Sequence, residues 1–331
     1  MTRTKLKMNI SNKVSPLLDI SDHSDNKFTL EEFFNVFDKF YELKVLEGLA
    51  PRSLKDYKNH MNYFKEYIYK EQRTPSIRSV EVDTFRSYIY YMVQEKQYKP
   101  CTVNIRLRTL KAYLKWLYNE RYLKEDLSTR LKLVKEPIDT VMPLEANTIK
   151  KLLKQPNKDT FVGFRDFTIM IVMLDCGIRV GELVNLKISD IDLKSKVINI
   201  RSEIAKSRTF RQVPLSSKSI RLIKEIICII KKSNTDYLFP SSYANKMDTN
   251  QVIHNFRKYG KQANITQRCT PHALRHTFAV SFLKNGGDVF TLQRILGHTT
   301  LEMTRRYVQL TNNDLIKKHK EVSHLDRFLM Q

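Results

Sequence analysis

Glycine and proline are scarce in this chain of 331 residues, at 8 and 10, which leaves room for helices and few tight turns. Cysteine is scarcer still. Cys101, Cys176, Cys228 and Cys269 lie far apart with no CxxC pair, so zinc spacing is absent and a disulfide framework is not expected in a chain of this size. No apolar run reaches membrane-spanning length: FTIMIVML (residues 167–174) is too short and reads as a buried helix. The opening MTRTKLKMNISNKVSPLLD lacks the unbroken apolar stretch of a signal peptide. These absences lead to the expectation of a reduced, cytoplasmic protein with no membrane association.

Acidic residues are also in deficit, with 35 Asp and Glu against 58 Lys and Arg, a formal charge of +23. Such a balance attracts a polyanion, both by Coulomb attraction and by release of its condensed counterions. A solubility surface, or a basic protein bound to ribosome or membrane, is the alternative, and charge alone does not separate DNA from RNA. What the chain does have is 41% hydrophobic residues, enough for real cores.

Two halves emerge. Residues 1–28 read as a flexible polar tail, and residues 29–123 are helical throughout. TLEEFFNVFDKFYELKVLEG opens with a threonine and a glutamate three residues later, a capping box. In TVNIRLRTLKAYLKWLYNE, Val103, Leu107, Leu110, Leu114 and Leu117 recur at steps of four and three and form one apolar stripe. Arg106, Arg108, Lys111 and Lys115 belong to the same helix. From Lys99 to Lys124, both included, stand seven basic residues and one acid, Glu120, so a surface that tracks DNA phosphates is favoured over a solvated face. Residues 124–142 look like an extended linker. Beyond it the pattern is mixed: VINIR (197–201) and RQVPL (211–215) flank a hairpin, and helices follow. The chain is thus mainly α with a small antiparallel β-sheet, and a basic tail helix is expected from about residue 312.

In this second half, five short stretches carry polar side chains that a plain core would not need. Arg179 follows the break of an apolar helix at Gly177 and has Glu182 or Asp190 as possible partners. Lys206 sits at the hairpin tip with Arg208 nearby; a lysine in a turn is ordinarily just solvated. In TPHALRHTFAVSFL, Pro271 suits a first helical turn, and His272, Arg275 and His276 then share a face. Three cationic donors on one face repel one another unless an anion sits among them. His298 follows Gly297, and Tyr307 lies nine residues beyond it. Neither HExxH nor a carboxylate–histidine cluster accompanies these histidines, so no metal ligands are assigned. Arginine, histidine and lysine can hold a phosphodiester and neutralise the charge building on its oxygens. A tyrosine can attack phosphorus and store the bond as a phosphotyrosyl ester. With an ordinary pKa near 10, that tyrosine needs a base or a field of cations to lose its proton.

On CGIRVGEL, AKSRTFRQVPL, HALRHTFA and LGHTTLEMTRRY, in this order, residues 29–331 resemble the tyrosine recombinases of the phage-integrase family. The resemblance implies a helical, SAM-like core-binding domain over 29–123 and a mixed α+β catalytic domain over 143–331, closing on DNA as a C-shaped clamp. It implies Tyr307 as the nucleophile that forms a 3′-phosphotyrosyl link, with Arg179 and Arg275 clamping the phosphate. His272 would take the tyrosine proton, Lys206 would protonate the leaving 5′-oxygen, and His298 would bond the phosphate. Glu182, Asp190 and His276 would support these groups. Ala205 and Ser207 depart from the glycines frequent around the hairpin lysine, and Val180-Gly181 replaces a frequent Ile/Leu-Ser.

The family further implies double-stranded DNA with specific recombination sites as partner. Four protomers would exchange strands through a Holliday junction, from a monomer or weak oligomer off DNA. The tail after Leu310 would dock on a neighbouring protomer. No cofactor, metal or ATP is implied, and the setting would be bacterial and nucleoid-associated. Integration, excision or transposition of a mobile element is the leading role. Resolution of replicon dimers, a type IB topoisomerase and a non-catalytic DNA-binding repressor are the alternatives.

Overall fold

Thr29 starts the first helix as the capping box requires: its hydroxyl accepts from Glu32 N at 3.2 Å and Glu32 Oε2 accepts from Thr29 N at 2.7 Å. In the computed structural model, which describes residues 28–71, 79–136, 143–305, 307 and 319, the run expected as one helix is two. These are α1 (Leu30–Asn35) and α2 (Phe37–Leu46), separated by Val36. The break lets Phe33, Phe37 and Phe40 all pack on Tyr113, with ring centroids 4.8, 5.3 and 5.0 Å away. The Tyr113 hydroxyl donates to Phe33 O at 2.6 Å, near a helix end where carbonyls lack intrahelical partners. Next come α3 (Pro51–Glu71), α4 (Val82–Tyr90), continued as a π-helical turn over Tyr91–Glu95, and α5 (Pro100–Asn119). The stripe read on α5 is fully buried from Val103 to Leu117 and centres this first unit, which extends to residue 138.

The structure revises the reading of residues 124–142. Residues Leu127–Arg130 form a short helix, α6, and Leu127 and Leu131 lie in the first unit's core. Buried Asn104 holds the following backbone, donating to Val134 O and accepting from Val134 N, both at 2.8 Å. Any linker therefore begins after this segment, and residues 137–142 lie outside the described residues, as do 1–27 and 308–318.

The same segment answers the basic flank of α5. Lys111 donates its ammonium to the carbonyls of Ser128 and Leu131, so it fastens α6 rather than facing a phosphate; this corrects its expected role. Lys115 pairs with Asp126 at 2.8 Å and Arg108 with Glu136 at 3.7 Å. Arg106 lies between the rings of Tyr63 and Tyr98, 4.0 and 4.7 Å from their centroids. The acids missing within the helix are supplied by the chain that folds back on it.

The second unit, from residue 139, is organised around α8. Helices α7 (Ala146–Leu153), α8 (Phe161–Cys176) and α9 (Val180–Leu183) lead through a 3-10 turn, Ile188–Asp190, into a three-stranded antiparallel sheet. Its strands are β1 (Ile191–Asp192), β2 (Val197–Ile200) and β3 (Arg211–Pro214), with Ile198 opposite Val213 and Ile200 opposite Arg211. Among the described residues there follow α10 (Ser217–Ile230), α11 (Thr249–Gln262), α12 (Pro271–Lys284), α13 (Val289–Leu296) and α14 (Glu302–Arg305). Ile169, Met170, Val172 and Met173 of α8 are fully buried, with α10 and α12 packed on them. No described helix is long and apolar enough to cross a membrane.

Gly177 ends α8 in the left-handed region, φ +62°. A Cβ there would stand 2.3 Å from Phe278 Cδ1 and 2.9 Å from Leu296 Cδ2. Both conformation and space therefore demand glycine, and the turn it allows delivers Arg179 two residues later.

Candidate active site

Helix α12 begins as its sequence suggests, with Thr270 accepting from Ala273 N and Pro271 in the first turn. His272 is exposed at that end, whereas Arg275 and His276, one turn on, are buried. Arg275 donates Nη1 to Gly177 O at 2.5 Å and Nη2 to Leu296 O at 2.9 Å and to His298 Nε2 at 3.0 Å. Since a guanidinium only donates, His298 Nε2 accepts, and the ring proton is assigned to Nδ1. That proton is directed at Thr304 Oγ1, 2.9 Å away.

Arg179 chooses Glu182 over Asp190. Its Nη1 donates to Glu182 Oε1 at 3.0 Å and its Nη2 to Gly297 O at 3.0 Å. Asp190 is engaged by Arg201 at 2.8 Å and by Lys187 N at 2.8 Å, and so braces the turn before the sheet. Burial opposes ionisation of Glu182, but the bonds and charge of Arg211, and then Arg179, outweigh it and hold the carboxyl below its ordinary range. Tyr307, just past α14, donates its backbone N–H to Thr304 O at 3.0 Å. Its ring packs 5.0 Å from that of His276 and 6.1 Å from that of His298, nearly parallel to the latter at 12°.

Arg275 feels the crowding of cations directly: burial and then Arg179 pull its pKa to about 10, with Tyr307 and Glu182 acting the other way. It remains charged at neutral pH. For His272, partial burial of the ring, and then the positive charges of Arg275, Lys206, Arg179 and Arg268, hold the imidazole below its ordinary 6.5. The ring is thus neutral and available as a base at physiological pH. Lys206, on the exposed hairpin tip, is near enough to count among those charges, and Arg208 beside it adopts φ +54°.

The shift of His272 has a testable sign. An unfolded chain takes up this proton near 6.5 and the folded chain only at lower pH, so the group's stabilising contribution is complete above 6.5 and is lost as pH falls through the folded value. His272→Gln should therefore flatten the decline in melting temperature between about pH 7.5 and 5, measured by thermal melts of both proteins. An unchanged decline would show that other groups carry it.

Two partners escaped the sequence reading. Thr304 is fully buried and meets His298 Nδ1. Arg211 binds Glu182 through two nitrogens, Nη1 to Oε1 at 3.1 Å and Nη2 to Oε2 at 2.6 Å. A signal for Arg211 was available: in a strand, alternate residues share a face, which sets Arg211 beside the core residue Val213. An inward arginine needs an acid. Elsewhere in this unit, Arg165 and Asp166 form a fully buried ion pair at 2.9 Å. Among the described residues, no group of three or more His, Cys, Asp and Glu comes together as a metal site.

The phage integrase family model matches residues 142–314, and the phage integrase SAM-like domain matches residues 32–133. Tyrosine recombinase XerC of Thermodesulfovibrio yellowstonii is 29% identical over 314 residues, covering 92% of this chain and 99% of that protein. Tyrosine recombinase XerD of Proteus mirabilis is 26% identical over 328 residues, covering 97% and 98%. Among solved structures, the Tn1549 transposon integrase in complex with transposon right end DNA has a TM-score of 0.74 at 18% identity, covering 89% of this chain and 99% of that one. A lambda integrase dimer bound to a COC′ core site has a TM-score of 0.66 at 16% identity, covering 83% and 97%. These two likenesses bear on fold alone. With one family model spanning more than half of the chain, and Tyr307 packed against His298, the partner of Arg275, the chain is a tyrosine recombinase of the phage integrase family.

Proposed function

We propose that this enzyme cuts and rejoins DNA at specific sites through a covalent link to Tyr307. One observation carries this reading: within a single chain, the Tyr307 ring stacks on His298, whose Nε2 is held by Arg275 next to the Arg179–Glu182 pair. The Tyr307 oxygen attacks the scissile phosphorus as its proton passes to His272. The P–O5′ bond then breaks, and Lys206 gives a proton to the departing 5′-oxygen. Arg179, Arg275 and His298 meet the charge that builds on the non-bridging oxygens, where preorganised donors act most strongly. His298 Nε2 accepts from Arg275 in the free protein, so it must gain a proton to donate to phosphate. Rejoining runs the same steps in reverse with a new 5′-hydroxyl.

The 3′-phosphotyrosyl ester conserves the bond energy, so ATP is not needed. A synaptic complex of four protomers with a Holliday junction intermediate follows from strand exchange in pairs, and movement of a mobile element is the role we favour. Arg106, Arg108, Lys115 and Arg208 are proposed to contact DNA phosphates. The Arg108 and Lys115 pairs described above are exposed and worth about 1 kcal/mol or less, so a phosphate can compete with their carboxylates.

Covalent capture tests the reading. A random-sequence duplex pool is incubated with the wild-type protein, and DNA that resists denaturant is recovered. Trypsin cuts after Arg306 and Lys317, leaving Tyr307 as the one tyrosine of its peptide. Mass analysis should find the nucleotide on that peptide. Capture on another residue, or none, would refute the proposal, and efficient relaxation of plasmid lacking a captured sequence would favour a topoisomerase.

A further inference from the structure

Ile295, Leu296 and Gly297 end α13, and each of their carbonyls is taken by a different arginine. Arg211 Nε donates to Ile295 O at 3.0 Å, Arg275 Nη2 to Leu296 O at 2.9 Å, and Arg179 Nη2 to Gly297 O at 3.0 Å. The last carbonyls of a helix lack intrahelical donors and carry the negative end of its dipole. This end therefore seats three guanidiniums side by side, directly before His298.

The carboxylate at this seat, Glu182, is shared. Its Oε1 accepts from Arg179 and Arg211, and its Oε2 from the Arg179 backbone and Arg211. One negative charge cannot neutralise two guanidiniums, so the trio keeps an excess of positive charge. Arg211 is itself poorly placed to touch DNA, since its side chain is 9% exposed and Glu182 is 1% exposed. Space is reserved for it as well: a Cβ on Gly297, at φ +61°, would lie 3.0 Å from the Arg211 guanidinium carbon.

We propose that Arg211 is a positioning residue for the phosphate clamp. By holding Glu182, it leaves Arg179 with uncompensated charge for the scissile phosphate, and by bonding Ile295 O it ties β3 to the end of α13. Without Arg211, Glu182 has Arg179 as its neutralising partner, and the pair turns toward DNA with no net charge. This inference rests on the recombinase reading.

The test uses the captured duplex from the random pool, nicked just beyond the scissile phosphate so that the released fragment diffuses away. Covalent capture is timed at saturating protein for wild type, Arg211→Met, Arg211→Lys, Glu182→Gln and the Arg211→Met/Glu182→Gln pair. Arg211→Met should slow capture about 100-fold, the scale of losing one charge-stabilising donor, while DNA affinity stays unchanged. Arg211→Lys, which keeps the charge but not the paired bonds, should fall between. In the Glu182→Gln background, Arg211→Met should cost less than about threefold, because no carboxylate remains to mask the charge of Arg179. A methylphosphonate at the scissile position removes the charge on one non-bridging oxygen and should shrink the Arg211→Met deficit at least about tenfold.

A purely structural brace predicts otherwise: a deficit that tracks a lowered melting temperature, persists with Glu182→Gln and ignores the methylphosphonate. That pattern, or capture by Arg211→Met within about threefold of wild type, overturns the proposal. A wild type that captures no duplex would defeat the recombinase reading, and this inference with it.

Discussion

Tyr307→Phe should bind DNA as wild type does and form no denaturant-resistant adduct, a loss of about 10⁴-fold or more in cleavage. The substitution removes one oxygen and keeps the ring. The packing of that ring on His276 and His298 is retained, and so is the backbone bond from residue 307 to Thr304 O. The effect is thus isolated to the nucleophile. Arg179, Arg275 and His298 would still stabilise charge on the phosphate, but with no group to attack it that stabilisation yields no covalent product. Gel-shift affinity and single-turnover capture, measured on one duplex, separate the two quantities. Adduct formation by the variant would move the nucleophile elsewhere and undo the assignment.

The second large effect is on stability. Asp166 Oδ1 accepts from Arg165 Nε at 3.1 Å and Nη2 at 2.9 Å, while Oδ2 accepts from Asn255 at 2.8 Å and Tyr259 Oη at 3.0 Å. Arg165 completes its bonding on Pro240 O at 2.7 Å. This network joins α8 to α11 and to the segment between α10 and α11. Asp166→Ala strands a fully buried guanidinium with one carbonyl partner, which costs about 3–5 kcal/mol. Replacing both charges, as Arg165→Met with Asp166→Leu, should cost much less, because a satisfied buried ion pair is worth little over apolar packing.

The readout can be resolved by unit. Trp116, the single tryptophan, lies on α5 in the first unit. Its fluorescence transition in urea should hold its midpoint in Asp166→Ala, while the circular dichroism transition of the second unit falls by more than about 1 M. A common shift in both signals would mean that the two units unfold as one.

The cores of both units were legible from periodicity. The α5 stripe is buried as its spacing requires, and the apolar run in α8 buries Ile169, Met170, Val172 and Met173 while Phe167, Ile171 and Leu174 are only partly covered. Gly177, Arg179, Arg275, His298 and Tyr307 could be singled out because each is out of keeping with a plain core. Partner choice was not legible. The basic flank of α5 looked unopposed because Asp126 and Glu136 lie 11 and 28 residues beyond Lys115 and Arg108 (126 − 115 and 136 − 108). Lys111 was misread for the same reason, since its partners are backbone carbonyls, which carry no sequence signature. The helix break at Val36 goes with three phenylalanines converging on Tyr113, a demand of packing that local pattern does not express.

By itself, the sequence determined which side chains could do phosphoryl chemistry, where the longer helices and the hairpin lie, and that the surface would be strongly basic. Those properties are local: a donor is a donor wherever it sits, and apolar spacing is written in consecutive residues. Only tertiary structure decided how the cations are balanced. Glu182 rather than Asp190 meets Arg179, Arg211 shares that carboxylate, and the end of α13 gathers three arginines before His298. The reason is physical: electrostatic interaction depends on distance and burial, and residues 179, 211, 275 and 298 become neighbours only once their elements pack.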